Sequence, residues 1–324
     1  MLSTAFTELV GCDAPIQLAP MGAISSPDLV KAVVEAGGMG MTGLPMAPAA
    51  VVADLLDGLG RATEGPFGFN VLVTFLDVEV VDAAAERCGY VDFYHGPVDA
   101  SLVERVHAGG ALAGWQVGAA DEAREAAAAG CDLLVVRGTE GGGRMYGTRS
   151  LWPLLAEVLA SVEVPVLAAG GLADGRGLAA ALAAGAAGVR MGTRFVASTE
   201  SAAHPAYKEA IVASRADGTV LTDEFRAGWP DKIATARVLR SALDRNRSLP
   251  DGATVGRLAM GPAVVEVPRF GFIPPVGAAE GDIGAWALYA GESAALIGAV
   301  EPAGTIIDRL VHEAEELLRA AAPT

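Results

Sequence analysis

VPVLAAGGLADGRGLAAALAAGAAGVRMGTRF, residues 164–195, carries two aliphatic runs, each stopped by glycine, with an alanine-rich segment between them. The first run ends at Gly170-Gly171 and the second at Gly192-Thr193. Both are apolar almost throughout rather than alternating, which is the pattern of parallel strands covered on both faces. Working upstream, the same kind of run recurs as PIQLAPM (15–21), GMGMTG (38–43), FGFNVLV (67–73), YVDFYHG (90–96), ALAGWQV (111–117) and CDLLVVRG (131–138). Helical segments follow these runs, among them 27–36, 47–59 and 79–88. Eight strand-helix units in about 200 residues predict an α/β fold, a TIM (β/α)8 barrel over 1–214, with a doubly wound sheet as the alternative.

After residue 214 the strand periodicity stops. Proline and glycine punctuate NRSLPDG and PRFGFIPPVGAAEGD, and 283–321 reads as two helical segments broken at Glu301-Pro302. The expectation for 215–324 is a mainly helical lid or second lobe over the barrel mouth.

Composition narrows the function. Of 324 residues 52% are hydrophobic, enough for a large core, and the formal net charge of -16 repels a phosphate backbone and argues against nucleic acid as a partner. No apolar run reaches membrane-span length, and the first residues lack a basic stretch followed by an apolar block, so the expectation is a soluble, cytoplasmic protein. Cys12, Cys88 and Cys131 have no metal-like spacing and read as reduced structural thiols. The apolar C-terminal helices are compatible with a homodimer.

In a TIM barrel the active site lies where strands end and their loops begin. The unusual residues of this chain fall at such points: Met21 and Gly22 after strand one, Asn70 in strand three, His95 after strand four, Gln116 in strand five, and Gly141-Gly142-Gly143 after strand six. Backbone N–H groups reach an anion only where no side chain intrudes, and the loops after strands seven and eight are the recurrent phosphate site of this fold. Gly170, Gly171, Gly192 and Thr193 therefore predict a phosphate cradle, to which Arg176 and Arg194 can add charge. Asn70 and Gln116 are isolated amides in aliphatic strands and need partners if buried. His107, His204 and His312 have helix-terminal or surface explanations.

These blocks, with PFGFN, GCDLLVVRGTEGGG and GWPDKIATARVLR, resemble the nitronate monooxygenase family, formerly the 2-nitropropane dioxygenases, over nearly the whole chain. The resemblance implies FMN, with its phosphate at Gly170, Gly171, Gly192 and Thr193, the backbone of Met21 against the ring, and Asn70 and Gln116 near the flavin or its ribityl chain. Inosine monophosphate dehydrogenases share the phosphate glycines but need a cysteine in the loop after strand six, and 139–150 contain none.

One position departs from the family pattern. The family segment after strand six runs Glu-Ala-Gly-Gly-His, and that histidine is the base that removes the substrate's α-proton; here Glu140-Gly141-Gly142-Gly143 leads to Arg144. The resemblance implies that Gly142 and Gly143 let the loop pass close over the flavin face. A guanidinium is not a general base at neutral pH, but it binds anions: a preformed nitronate, a carboxylate, or a phosphate of NADPH or a carrier. Tyr146 and His95 are the further candidates for acid-base work. The leading expectation is an FMN-dependent oxidoreductase that oxidises nitronates or a related acidic small molecule with O2. The alternatives are an NAD(P)H-dependent enoyl-thioester reductase and an inactive flavin-binding partner protein.

Overall fold

The computed structural model describes residues 2–321 apart from 231, 261 and 262. Its first half is laid out by strands β1 (Ile16–Leu18), β2 (Gly40–Thr42), β3 (Phe67–Leu72), β4 (Tyr90–Tyr94), β5 (Leu112–Val117) and β6 (Leu133–Arg137). A two-residue strand outside the barrel, β7 (Gly143–Arg144), follows, and then β8 (Val166–Ala169) and β9 (Gly188–Met191). All but β7 form one sheet, β1-β9-β8-β6-β5-β4-β3-β2, in which every neighbouring pair is parallel. The bridge Gln17↔Met39 and the Leu18 N–H donating to the Met39 carbonyl at 2.9 Å join β1 to the entry of β2. The sheet thus closes on itself as a TIM barrel, which excludes the doubly wound alternative.

The helices of the outer ring follow from local chemistry. Pro27–Glu35 starts with proline in its first turn, the Ser26 side chain accepts from Leu29 N–H, and Leu29, Val30, Val33 and Val34 form its buried face. The helix Ala303–Ala321 buries Ala303, Ile306, Ile307, Leu310 and Ala314, at helical spacing, in the barrel's own core. It packs against Gly175–Ala183 and Pro27–Glu35, and Glu313 accepts a hydrogen bond from the Gly175 N–H at 3.0 Å. The ring position after the last barrel strand is therefore taken by this helix. After β9 comes the one-turn helix Thr193–Val196, and the next helix, Pro205–Val212, buries Tyr207 and Ile211 in a second core with Phe225, Val238, Leu258 and Trp286.

The intervening segment differs from the expectation of a mainly helical region. Its helical part is Arg240–Arg247 and short 3-10 turns, whereas β10 (Thr219–Thr222), β11 (Ala236–Leu239), β12 (Thr254–Met260), β13 (Ala263–Pro268) and β14 (Ala279–Gly281) build two antiparallel sheets. Their orders are β10-β11-β7 and β13-β12-β14. Most of β13 faces solvent, so it has no buried apolar alternation to read. The packing also divides the chain differently from a cut at 214, because 303–321 belongs with the barrel while Ile24, Val196 and Ala197 belong with the second core.

Candidate active site

A cavity of about 370 Å³ opens at the C-terminal ends of the barrel strands, within the range of small-molecule sites. It is lined from the barrel by Met21, Gly22, Asn70, Gln116, Gly170, Gly171, Arg190, Gly192 and Thr193, from the loop after β6 by Gly142, Gly143 and Arg144, and from the segment between the barrel and the last helix by Trp229, Phe272 and Tyr289. Ten of the predicted site residues therefore meet at one cavity through their lining atoms, together with Arg144.

Its floor is a buried polar network. Arg190, on β9, pairs with Asp92 on β4, donates to Gln17 Oε1 at 2.6 Å and to Gln116 Oε1 at 3.2 Å, and both charged residues are almost wholly inaccessible. Asn70 Nδ2 donates to Asp92 Oδ1 at 2.8 Å. The two isolated amides thus have partners within the strands: they complete the shell of a buried ion pair, which needs such satisfaction to be tolerated.

The strand ends expected to hold a phosphate, Gly170-Gly171 and Gly192-Thr193, line the cavity, and Gly170 and Gly171 pack against Gly141 and Glu140 of the loop after β6. Gly170 has φ +108°, and a Cβ there would stand 3.0 Å from the Gly141 nitrogen, so the position requires glycine twice over. The hydroxyl of Thr193 accepts from the Gly291 N–H at 2.9 Å, tying this strand end to the second core. Neither predicted helper arginine contributes: Arg176 is exposed, and Arg194 is buried, donating to the Ala197 and Ala299 carbonyls near Glu301. The start of the helix Gly175–Ala183 is likewise taken, by Asp174 at Gly177 N–H and by Glu313 at Gly175 N–H.

The glycine loop after β6 is held from below and above. Below, Arg137 donates to the Tyr94 hydroxyl at 2.6 Å and to the carbonyls of Gly142 and Arg144. Above, β7 pairs with β11, Arg144 opposite Ala236, and a Cβ on Gly142 would lie 2.6 Å from the Ala290 carbonyl carbon. Glu140 does not pair with Arg144; its carboxylate accepts from Leu151 N–H.

Arg144 points into the second core's wall of the cavity. Its guanidinium donates to the carbonyls of Ala234 and Phe225 and lies 4.4 Å from the Trp229 ring centroid and 5.8 Å from that of Tyr289. Among the described residues no carboxylate pairs with it. Burial lowers its pKa from the ordinary guanidinium value, opposed by Tyr289, and the group remains a cation at neutral pH.

His95 and Tyr146 are placed beside the cavity rather than on its lining. His95 is buried with φ 63°, its Nδ1 is 3.1 Å from Thr74 Oγ1, and its ring packs against Tyr94, Tyr146 and Trp229 at centroid distances of 5.2 to 5.6 Å. Tyr146 donates its backbone N–H to the Tyr94 hydroxyl at 2.9 Å. Both residues build the aromatic wall that carries Trp229. Sequence reasoning passed over Asp92, Arg137 and Arg190, although a charged residue inside YVDFY, LLVVRG and GVRMG is the same signal that marked Asn70 and Gln116. Trp229 and Tyr289 carried no such signal, because their place depends on how the second core folds back.

The nitronate monooxygenase family profile matches residues 3–91 and 76–313. A Mycobacterium tuberculosis protein, (3aS,4S,5R,7aS)-5-hydroxy-7a-methyl-1-oxo-octahydro-1H-indene-4-carboxyl-CoA dehydrogenase, is 34% identical over 251 residues, 76% of this chain and 70% of the relative. Nitronate monooxygenase npaC of Metarhizium robertsii is 32% identical over 93% of this chain and 90% of its own length. Among solved structures, FabK from Thermotoga maritima superposes with a TM-score of 0.81 at 31% identity, covering 99% of this chain and 98% of that one. No described helix is long and apolar enough to cross a membrane. With a closed barrel, a cavity at its strand ends and these matches along its length, the chain is an oxidoreductase that belongs to the nitronate monooxygenase family.

Proposed function

We propose that this protein is an FMN-dependent oxidoreductase that takes a preformed anion, a nitronate or a related acidic small molecule, and holds it at Arg144. The residues present fit the cofactor. Gly170, Gly171, Gly192 and Thr193 line the cavity with glycine backbone and a hydroxyl, so no bulky side chain stands between their main chain and an approaching phosphate. Met21, Asn70 and Gln116 are the residues that would meet the ring and ribityl chain. Bound FMN supplies one-electron and two-electron redox chemistry.

One observation carries the reading. The described residues lining the cavity include Arg137, Arg144 and Arg190 but no histidine, aspartate, glutamate, lysine or cysteine. A site without a base of suitable pKa does not deprotonate a neutral nitroalkane, whereas a guanidinium that no described carboxylate neutralises attracts a substrate that is already ionised. Arg144 orients the anion, while the aromatic wall of Trp229, Phe272 and Tyr289 limits water on that side.

A second reading is favoured by the M. tuberculosis relative, whose name carries a CoA thioester. In it Arg144 receives a phosphate of the carrier or of NADPH, and the flavin is reduced by the nicotinamide. Anaerobic mixing of the FMN-loaded protein with propionate 3-nitronate and, separately, with NADPH decides between them. Loss of the oxidised-flavin absorbance with the nitronate supports the first; bleaching by NADPH alone replaces it with the second; no change with either rejects both. Arg144→His should then confer oxidation of the neutral nitroalkane that the natural protein lacks.

A further inference from the structure

Of the buried serines Ser25, Ser198, Ser201 and Ser293, the first three are satisfied within the protein. Ser25 Oγ accepts from the Met21 N–H at 3.0 Å and donates to the Ala19 carbonyl at 3.2 Å, Ser198 Oγ donates to the Phe195 carbonyl at 2.7 Å, and Ser201 Oγ accepts from the Ala203 N–H at 3.1 Å. Ser293 is 4% exposed, and among the described residues nothing hydrogen-bonds to its hydroxyl. A hydroxyl withdrawn from bulk water without a partner is costly. Ser293 lines the active-site cavity, so its oxygen is left facing that space rather than sealed in the core.

The residue is carried by the 3-10 turn Glu292–Leu296, which follows Gly291. On one side Ala294 and Ile297 bury themselves in the second core. On the other, two main-chain bonds fix the turn to the glycine-marked strand ends: the Gly291 N–H donates to Thr193 Oγ1 and the Glu292 N–H to the Glu140 carbonyl, both at 2.9 Å. Glu140 is the residue against which Gly171 packs, since a Cβ on Gly171 would lie 3.1 Å from the Glu140 Cβ. The acidic side chains of these segments are engaged elsewhere, Glu140 by the Leu151 N–H and Glu292 by Arg237 at 2.9 Å. What the turn offers the cavity here is therefore a neutral hydroxyl, beside a second one on Thr193, whose oxygen accepts from Gly291 and keeps its own hydrogen to donate.

We infer that Ser293 is a further ligand of the FMN phosphate, donating its hydroxyl hydrogen to the anion held at Gly170, Gly171, Gly192 and Thr193. The inference rests on the reading of those strand ends as the phosphate site and adds a ligand that the second core contributes. A phosphate has acceptor oxygens to spare for such a donor, and a hydrogen bond to a charged acceptor is stronger than one between neutral groups. The bound cofactor thereby satisfies the hydroxyl that the protein leaves open and ties the turn Glu292–Leu296 to the barrel through its phosphate.

Flavin-free protein titrated with FMN and with riboflavin, which is the same molecule without the phosphate, tests this by quenching of flavin fluorescence and needs no turnover. Ser293→Ala should weaken FMN by about tenfold, the value of one hydrogen bond to a charged group, and leave riboflavin affinity unchanged. Because the hydroxyl has no protein partner to lose, the melting temperature of the flavin-free variant should not fall, whereas the rise on adding FMN should shrink. An unchanged FMN affinity in Ser293→Ala overturns the inference, and so does an equal loss of FMN and riboflavin, which would place the hydroxyl at the ring or in packing. If the natural protein binds FMN no more tightly than riboflavin, the phosphate site itself is wrong and the inference falls with it.

Discussion

The two glycine-rich ends of the cavity are built in opposite ways. Gly170, Gly171 and Gly192 sit at the ends of neighbouring barrel strands, and each is placed by a turn a few residues long. Gly142, Gly143 and Arg144 are placed from afar: β7 pairs with β11, and the Arg144 guanidinium is held by Phe225 and Ala234, 81 and 90 residues away. The first end is a property of the barrel, and the second exists only when the other core has folded onto it.

Removing the floor common to both ends should have the largest effect. Asp92→Ala leaves the Arg190 charge buried without its partner, and such losses cost about 3–5 kcal/mol. The urea midpoint should fall accordingly; a midpoint unchanged from the natural protein would mean that the network is dispensable and the two ends are independent of it.

Next in size, Gly170→Val places a branched side chain at φ +108° against the Gly141 nitrogen. Strain of this kind costs about 1–3 kcal/mol, so FMN affinity, titrated by flavin fluorescence, should drop at least about tenfold. Arg144→Gln should do the converse, weakening anionic ligands by about tenfold, the value of one charge-assisted contact, with FMN affinity retained. If Arg144→Gln releases FMN as readily as Gly170→Val does, the division between a local and a long-range end is wrong.

The smallest effect at neutral pH concerns the thiols. Burial pushes Cys12, Cys88 and Cys131 up to about 12 from an ordinary value of 9.0. The fold therefore holds protons that the unfolded chain releases above pH 9, so these groups lower stability as pH rises from about 9 to 12 and contribute nothing near 7. Alkylation in native buffer should be slow, becoming fast in urea; rapid native labelling would show that the thiols are less enclosed than their packing states.

The same contrast explains what could be read from the sequence. The barrel and the glycine-marked strand ends from Gly170 to Thr193 that line the cavity were legible because parallel strands are continuous apolar runs and their ends are punctuated by glycine within the same short segment. Arg144 was legible as a cation that ends a glycine loop, yet its partners were not, because Trp229, Ala234 and Tyr289 reach it through contacts that leave no local period. The surroundings of His95 were illegible for a related reason: its position follows β4, but the aromatic neighbours that enclose it beside the cavity come from the loop 145–147 and the segment around Trp229. The strands between 219 and 281 were missed because one-sided, partly exposed hairpins carry little apolar patterning.

The helix Ala303–Ala321 lies in the ring beside Pro27–Glu35 and buries five apolar side chains there. A chain emerging from the ribosome can pair all eight barrel strands well before this helix is made. Until then the hydrophobic seat between the helices Pro27–Glu35 and Gly175–Ala183 stays open to water and to chaperones. The second core, whose members end at Ile297, is spelled out during that interval, so every residue that lines the cavity is made before the ring is sealed, and a ribosome that stalls short of residue 303 leaves a barrel with one side open.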